Sequence, residues 1–512
     1  MNRDGNCTSL WQDSTPASDH SYKLTGNEEF DVLIVGGGIT GITTGLLLQK
    51  AGKKCVLAEA RNLCFGTTGG TTAHLNTFLD TTYDQIVKKF SEEDARLVAQ
   101  ATKAAITLIK QNIKEFSIDC GFEESPAYLF SVKDDQSKEL EKIVEAANKV
   151  GVQMEFTDKS AFPLPFLKIA YIPEQAKFHP GLYIAALAKE FELAGGVILE
   201  NCRVTEIKED TPLVAETSLG KIKARKAIYA THIPPGVNLL HFRCAPYRSY
   251  AMAVTLKDNN YPNALGYDME DPYHYYRSQE VEGQKYLIVG GEDHKTGHQE
   301  NTEACFRNLE SHVRKYFNVK DVSYRWSSQY FEPADGLAYI GNLPGHSEDM
   351  YVATGYGGNG MIYGTIAGMM LSNILVHGTS IYQELFDPNR IKPIAGFANI
   401  VKESADVVAH FIKDRFSADK LNELVELAPG DAKVVKYEGQ TIAIYKDDEG
   451  HVHALNSACT HIKCTVAWNS AEKSWDCPCH GSRFTYEGEV LTGPARKDLK
   501  QVLLTELIEN SK

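Results

Sequence analysis

Two short boxes near the end of the 512-residue chain carry side chains that bind metals. The first box is Cys459-Thr-His461 and the second is Cys477-Pro-Cys479-His480. Two cysteines and two histidines form a structural zinc site in many proteins. The same set can hold a two-iron, two-sulfide centre, in which two thiolates bind one iron and two neutral imidazoles bind the other. In either case the candidate metal ligands are Cys459, His461, Cys477 and His480.

The residues around the boxes favour the iron–sulfur centre. A zinc site does not need the second cysteine pair, Cys464 and Cys479, and the hydroxyl of Ser482 suits a hydrogen bond to a cluster sulfur. With these features residues 424–512 resemble the Rieske [2Fe–2S] domain family. The resemblance implies a disulfide between Cys464 and Cys479 and a third cluster-covering loop at Gly493-Pro494-Ala495.

One position departs from the pattern of that family. Many high-potential Rieske proteins carry a tyrosine two residues after the serine, where this chain has Phe484. Hydrogen bonds to the cluster sulfurs stabilise the reduced state, so the missing hydroxyl implies a lower reduction potential.

A glycine-rich turn near the start of the chain indicates a nucleotide-binding unit. An apolar run at Val32–Val35 predicts a buried parallel strand, and Ile39–Gln49 predicts the helix that follows it. Gly36 would permit the tight turn, Gly38 the approach of a pyrophosphate, and Gly41 close packing of the helix. The helix N-terminus would add the positive end of its dipole.

The second predicted strand, Cys55–Ala58, ends at Glu59, where a carboxylate can bind both ribose hydroxyls. Together with Gly66–Ala73 and the glycine-rich stretch Gly355–Gly364, this arrangement resembles FAD enzymes of the D-amino-acid oxidase superfamily. The sequence has no second set of strand, glycine-rich turn and acidic residue at the spacing that a nicotinamide-binding site requires. We therefore expect the flavin to be reduced by an organic substrate. The resemblance implies noncovalent FAD bound by Gly36, Gly38, Ile39, Thr40, Gly41, Glu59, Ala60, Arg61, Gly66, Thr67, Thr68, Thr72, Val204, Gly355, Gly357, Gly358, Asn359, Gly360 and Met361.

Aromatic residues cluster between residues 240 and 330, where the superfamily has an antiparallel substrate domain. Such clusters often form ordinary cores, but they also suit a cationic amine through cation–π contacts. Amino-acid oxidases of the family carry a carboxylate-binding arginine five positions before an Asp-Gly pair, and Asp335-Gly336 places Tyr330 there. This departure argues against recognition of an α-amino-acid carboxylate. The candidate catalytic residues are Tyr250, Arg277 and Tyr330.

The composition is that of a globular protein with an excess of acidic residues. There are 67 Asp and Glu against 53 Lys and Arg, a net charge of −14, which argues against a nucleic-acid partner. Residues 1–27 lack the apolar core of a signal peptide, and no run of 18 or more apolar residues predicts a transmembrane segment. We therefore expect a cytoplasmic protein, and the oligomeric state stays open.

The expected fold is an α/β FAD-binding Rossmann-type domain with an inserted antiparallel α+β substrate domain, followed by an all-β Rieske domain. The expected boundaries are a polar leader at 1–29, the oxidoreductase at 30–390 with its inserted domain at roughly 240–330, a helical linker at 391–423, and the Rieske domain at 424–512. One face of the linker helix is apolar, but the charges on its other face balance, which favours packing between domains over membrane binding.

These resemblances imply a dehydrogenase-like enzyme that oxidises a small amine or amino-acid-like substrate with FAD. The electrons would pass to the Rieske cluster and then to an external protein or quinone. A tethered acceptor competes with dioxygen because of its proximity. Two alternatives remain open: a reductase that receives electrons through the cluster, and a non-catalytic electron carrier or redox sensor.

Overall fold

The computed structural model describes residues 5–17, 20, 22–25, 28–390, 419–420, 427–437 and 440–502. Nearly all of the predicted linker at 391–423 therefore lies outside the described residues. The described chain forms two eight-stranded sheets with helices, a three-stranded sheet and a smaller all-β unit. The three-stranded sheet has the order His74–Leu75, Ala176–Lys177 and Glu123–Glu124. The helices are Leu10–Ser14, Ile39–Lys50, Thr67–Gly70, Tyr83–Lys89, Glu92–Glu115, Asp134–Lys149, Pro180–Leu193, Leu239–Phe242 (3₁₀), Thr302–Tyr316, Gly360–His377 and Gln383–Phe386.

The first sheet carries the glycine-rich turn at the end of its central strand. That strand, Glu29–Val35, pairs in parallel with Cys55–Ala58 on one side and Gly220–Tyr229 on the other. Central parallel strands are covered on both faces, which explains the unbroken apolar run read from the sequence. The order across the sheet is Val204–Lys208, Leu213–Thr217, Gly220–Tyr229, Glu29–Val35, Cys55–Ala58 and Val197–Leu199, with Met350–Thr354 beside Gly220–Tyr229 and Tyr339–Asn342 beside Met350–Thr354.

The second sheet, the substrate sheet, is larger than the predicted inserted region. The aromatic region supplies five of its strands, and three more come from residues 127–172, for which the sequence gave no strand prediction. These three strands are short, so their alternation was too brief to read. The order is Val319–Pro333, Cys244–Leu256, Gln284–Lys295, His274–Val281, Leu265–Asp268, Ala127–Ser131, Lys168–Ile172 and Glu155–Thr157.

The all-β unit near the C-terminus consists of two four-stranded sheets around a small core. Trp475 and Phe484 are fully buried in this core together with all four cysteines of the predicted metal region. The strands are Asp419–Lys420, Ala432–Tyr437, Gln440–Lys446 and Val452–Asn456 in one sheet, and Ala467–Asn469, Ser474–Asp476, Arg483–Thr485 and Val490–Thr492 in the other.

One helix among the described residues, Gly360–His377, is long and apolar enough to cross a membrane. Most of its apolar stretch is buried inside the fold, where it packs on helix Ile39–Lys50. Two glycines allow this close contact. A Cβ on Gly364 would lie 2.6 Å from Cγ2 of Ile39, and one on Gly368 would lie 2.6 Å from Cγ2 of Thr43. The helix is thus part of the core of the domain that contains the first sheet.

The N-terminal segment is more than a polar leader. It contains a short helix, Leu10–Ser14, whose Trp11 is fully buried. The indole Nε1 of Trp11 donates to the carbonyl of Thr71 at 2.6 Å, and the amide of Cys7 donates to Oε2 of Glu472 at 3.3 Å. The segment therefore contacts both the predicted flavin-binding stretch and the all-β unit.

Candidate functional site

The glycine-rich turn is tight because two of its glycines leave no room for a side chain. Gly36 has φ of 114°, in the left-handed region, and a Cβ there would lie 2.5 Å from the carbonyl oxygen of Ala230. A Cβ on Gly41 would lie 1.9 Å from the carbonyl oxygen of Gly36. Both contacts fit the roles inferred for these glycines. They hold the N-terminus of helix Ile39–Lys50, a natural anion site, at the strand end.

Glu59 stands at the end of the neighbouring strand, as the sequence indicated. Its carboxylate accepts hydrogen bonds from the amides of Gly37 at 2.7 Å and Arg61 at 2.9 Å. Burial raises the pKa of Glu59, and these two amides act against that shift. The carboxylate is thus fixed beside the glycine turn, where a dinucleotide ribose would lie.

A cavity of about 340 Å³ extends from the glycine turn to the substrate sheet. Every residue that the resemblance assigns to FAD lines this cavity except Gly41 and Gly355. Gly41 packs inside the helix, and Gly355 makes a turn with φ of 72°. The lining also includes segments that sequence reasoning missed, because they come from distant parts of the chain. These are Thr231–Ile233, Pro235, Ser328, Gln329, Phe331, Val490–Gly493, Ala495 and Arg496.

Two backbone amides of the glycine-rich loop before helix Gly360–His377 are hydrogen-bonded within the protein. The amide of Gly357 donates to the carbonyl of Phe331 at 3.0 Å, and that of Gly358 donates to Oδ2 of Asp80 at 2.7 Å. These two amides are therefore used within the protein. Gly360 and Met361, at the helix N-terminus, also line the cavity, so the positive end of the helix dipole is presented to it. The residues present fit a bound FAD.

The far part of the cavity, which we call the substrate end, is formed by seven side chains. They are His74, Asp80, Ser249, Tyr267, Tyr273, Tyr275 and Tyr330. Tyr330 donates from its hydroxyl to Oδ2 of Asp293 at 2.8 Å, just behind the lining. The hydroxyl of Ser249 donates to the other carboxylate oxygen of Asp293 and lies 2.8 Å from the hydroxyl of Tyr275. A network of hydroxyls around one carboxylate therefore backs this wall of the cavity.

The two other candidate catalytic residues do not line the cavity. Tyr250 is fully buried on the other side of its strand, where its hydroxyl lies 2.9 Å from Nε2 of His294. Arg277 is also fully buried, and its Nη1 donates to the carbonyls of Thr72 at 2.9 Å and Ala73 at 2.7 Å. Arg277 thus supports the flavin-binding stretch from below, and neither residue is placed to touch a substrate.

The four predicted metal ligands come together in the all-β unit. The thiols of Cys459 and Cys477 hydrogen-bond to each other, which lowers the pKa of Cys459 and raises that of Cys477. Nδ1 of His461 and both ring nitrogens of His480 are buried and have no hydrogen-bond partner in the described part of the chain. Unpartnered buried nitrogens are costly unless a metal binds them, so this donor set fits a cluster.

The surroundings of the ligands match the iron–sulfur interpretation. Burial lowers the pKa of His461 to about 4 and that of His480 to about 3, which keeps both imidazoles neutral as metal ligands require. The predicted disulfide between Cys464 and Cys479 is present. Ser482 contacts the thiol of Cys459, as expected of a hydroxyl that bonds to a cluster sulfur.

The histidine side of the cluster site is covered by the oxidoreductase part of the chain. Nε2 of His461 donates to the carbonyl of Gly236 at 3.0 Å. The ring of His241 lies 4.7 Å from that of His461, and the ring of Phe242 lies 5.4 Å from that of His480. The two ligand imidazoles therefore face a segment of the same protein.

A buried ion pair also joins the all-β unit to the oxidoreductase part of the chain, away from the ligand histidines. Oε1 of Glu472, in the all-β unit, accepts from the amide of Ser327 at 3.0 Å and lies 3.6 Å from Nη2 of Arg248. Arg248 and Glu472 are almost fully buried. Removal of one partner would leave the other charge buried without compensation, so the two side chains must be matched across this contact.

Comparison with known proteins defines the class of the molecule. The model of the family described as FAD dependent oxidoreductase (DAO) matches residues 31–374, and that of the Rieske [2Fe-2S] domain matches residues 419–503. The chain therefore belongs to the FAD dependent oxidoreductase family and carries a C-terminal Rieske domain. Its cofactors are FAD and a Rieske [2Fe–2S] cluster, and the predicted fold class is confirmed.

Individual relatives support this assignment. Over 495 residues the chain is 33% identical to YhfW of Bacillus subtilis (strain 168), named as a Rieske 2Fe-2S iron-sulfur protein, covering 96% of this chain and 97% of that protein. It is 25% identical to gamma-glutamylputrescine oxidoreductase of Escherichia coli (strain K12), covering 67% of this chain and 83% of that enzyme. The structure of glycine oxidase from Geobacillus kaustophilus matches with a TM-score of 0.60 at 17% identity, covering 71% of this chain and all of that one.

Proposed function

We propose that the protein is a dehydrogenase-like flavoenzyme that oxidises a small amine or amino-acid-like substrate and passes the electrons through its own cluster to an external acceptor. The observation that carries this proposal is a wall shared by the two cofactor sites. Gln329 lines the cavity, and its Nε2 donates to the carbonyl of Gly481 at 2.8 Å, beside the ligand His480. Pro235 lines the cavity, and the next residue, Gly236, accepts the hydrogen bond from His461.

Some residues of the chain bind the substrate, and others shield the cavity from water. When bound, FAD supplies two-electron oxidation of a C–N bond, and the cluster supplies one-electron transfer. Tyr330, Tyr275 and Ser249 present fixed hydroxyls at the substrate end of the cavity. Residues Val490–Gly493 of the Rieske domain cover part of the cavity wall and so restrict the access of water.

The fixed docking of the Rieske domain supports transfer within one molecule. The tethered cluster has a high effective concentration at the cavity, which favours it over dioxygen as the acceptor. Because the ligand imidazoles face Gly236, His241 and Phe242, an external acceptor would approach the cluster from another side of the Rieske domain. The proposed setting is the cytoplasm, which suits the seven unpaired cysteines outside the cluster region.

Anaerobic mixing of the holoenzyme with candidate amines tests the proposal. Flavin absorbance should bleach first, and the electron paramagnetic resonance (EPR) signal of the reduced Rieske cluster should follow. In Cys477→Ala, which removes one cluster ligand, bleaching should occur without that signal, and dioxygen consumption should rise. Cluster reduction by an external donor before flavin reduction would instead support a reductase. Failure of every amine and amino acid to bleach the flavin would support a non-catalytic electron carrier.

A further inference from the structure

The two ends of the cavity carry opposite charges. The cationic side chains of the described lining are Arg61, Arg203 and Arg496. Arg61 lies two residues after Glu59, Arg203 donates to the carbonyl of Val490 at 2.8 Å, and Arg496 donates to that of Pro235 at 2.9 Å. All three therefore belong to the part of the cavity near the nucleotide-binding turn and the Rieske domain, where phosphates are expected.

The substrate end has carboxylates in place of cations. Asp80 lines it directly, and Asp293 lies behind the hydroxyls of Ser249, Tyr273 and Tyr330. Asp80 is held in position from both sides, because its backbone amide donates to Oδ1 of Asn359 at 2.9 Å and its Oδ2 accepts from the amide of Gly358 at 2.7 Å. The side chain of Asn359 also hydrogen-bonds to this carboxylate, and these contacts act against the rise in the pKa of Asp80 that burial causes.

Aromatic rings complete this end of the cavity. The lining includes the rings of Tyr267, Tyr273, Tyr275 and Tyr330. Those of Tyr273 and Tyr275 lie 5.6 Å apart at an angle of 40°, so the two rings form one aromatic part of the cavity wall. Phenol rings beside a carboxylate are the surroundings that favour an alkylammonium ion.

No cation at this end could balance a carboxylate of a substrate. Burial and the nearby charge of Arg277 lower the pKa of His74 well below its usual value, so this lining histidine is neutral. The guanidinium of Arg277 donates to backbone carbonyls and does not reach the lining. Among the described residues the substrate end is therefore anionic or neutral throughout.

We propose that the substrate end binds a cationic amine that carries no α-carboxylate, with Asp80 as the charge partner of the ammonium group. Asp293 acts as a positioning residue that orients the hydroxyls of Tyr330 and Ser249 around the ligand. This inference rests on the proposed function and narrows its substrate class from amines and amino acids to amines without a carboxylate. It concerns binding alone and involves no redox step.

Binding to the oxidised holoenzyme tests the inference without turnover. Choline is a quaternary ammonium ion, and 3,3-dimethylbutan-1-ol is its neutral isostere. Each compound is titrated into the protein, and binding is followed by the change in flavin absorbance. Choline should bind about tenfold or more tightly than its neutral isostere, because the isostere lacks one charged contact. Acetate and glycine should compete with choline poorly, and ethylamine should compete better than alanine, its analogue with an α-carboxylate.

Substitutions locate the contact. Asp80→Asn keeps an oxygen that can accept from Gly358, but it removes the charge, so choline affinity should fall about tenfold or more while the neutral isostere is unaffected. Glu280→Gln removes an exposed carboxylate from the same strand as Tyr275 and should change neither affinity. The FAD content of each variant, measured from its absorbance, shows whether the cavity is intact.

The inference fails if glycine or acetate binds as tightly as choline, or if Asp80→Asn with full FAD content binds choline as the parent protein does. Neither result would contradict the proposed transfer of electrons from flavin to cluster. Conversely, selective choline binding without cluster reduction by any amine would support the site and overturn the proposed function.

Discussion

The cluster site and the substrate end of the cavity differ in whether the protein's own side chains satisfy one another. At the cluster site Nδ1 of His461 and both ring nitrogens of His480 are buried and have no partner among the described residues, so the protein alone leaves the site incomplete. At the substrate end Tyr330, Ser249 and Asp293 already satisfy one another through hydrogen bonds. The first site is completed by its metal, whereas the second is organised before any ligand arrives. Changes at the first should therefore remove a cofactor, and changes at the second should alter affinity.

The largest effect is expected when a cluster ligand is removed. His480→Ala deletes one imidazole of the pair, and we expect complete loss of the Rieske EPR signal and of bound iron, because each iron needs both of its protein ligands. FAD should remain bound, since His480 does not line the cavity. The neighbouring substitution His453→Ala, in the same domain but outside the ligand set, should keep both cofactors. Retention of the Rieske signal in His480→Ala would show that the ligand assignment is wrong.

The next effect concerns the contact between the two regions. Glu472→Ala leaves the buried guanidinium of Arg248 without its carboxylate, and we expect the free energy of unfolding to fall by about 3–5 kcal/mol. Chemical denaturation of the full chain measures this change. Lys473→Ala removes an ion pair with Asp448 that is open to solvent, so it should cost less than about 1 kcal/mol. Equal losses in the two variants would contradict a role for the buried pair.

A smaller effect is a change of cation affinity with pH. Burial raises the pKa of Asp293 to about 7, with a contribution from the charge of Asp80, while the hydroxyls of Ser249, Tyr330 and Tyr273 act against the shift. The carboxyl is therefore neutral below this pH and charged above it. Choline does not titrate, so its affinity should rise up to about tenfold from pH 6 to pH 8.

Asp293→Asn should flatten that pH dependence, and the neutral isostere of choline should show none in either protein. An unchanged slope in the variant would assign the titration to another group.

The smallest effect is a shift of the cluster potential. Ser482 contacts the thiol of Cys459, and Ser482→Ala should lower the potential by about 40 mV, the equivalent of one hydrogen bond of about 1 kcal/mol. Ser457→Ala, which removes a buried hydroxyl bonded to the carbonyl of Thr441, should leave it unchanged. Potentiometric titration followed by EPR measures both. Phe484→Tyr should move the potential upward, and a fall there would contradict the interpretation of that position.

The two regions also differ in how far the sequence predicts them. The cluster ligands Cys459 to His480 lie close together in the chain, and the glycine turn and Glu59 follow a fixed local spacing, so both patterns could be read. The substrate end is assembled from strands far apart in the sequence, and nothing marks Asp80 or Asp293 as neighbours. Asp80 lies in a loop that is hydrogen-bonded to the Gly358 loop, and Asp293 lies on strand Gln284–Lys295, so their proximity depends on tertiary packing.

The choice of Tyr250 shows the same limit in detail. Neighbouring residues of a strand point to opposite faces, and Ser249, not Tyr250, lines the cavity. The pairing of this strand with Gln284–Lys295 shifts between Arg248 and Tyr250, and such a bulge leaves no signal in the sequence. Arg277 follows Tyr273 and Tyr275 on alternate positions but lies beyond the cavity, under the carbonyls of Thr72 and Ala73. Its residue type suggested a catalytic role that its position does not allow.

The central claim is that electrons pass from flavin to cluster within one molecule. The direct measurement is the rate of cluster reduction after anaerobic mixing with a reducing amine, followed by rapid-freeze EPR over a tenfold range of protein concentration. We expect a single rate that does not change with protein concentration, because the two sites share a wall. A rate proportional to protein concentration, or a cluster that stays oxidised beside fully reduced flavin, would contradict the claim.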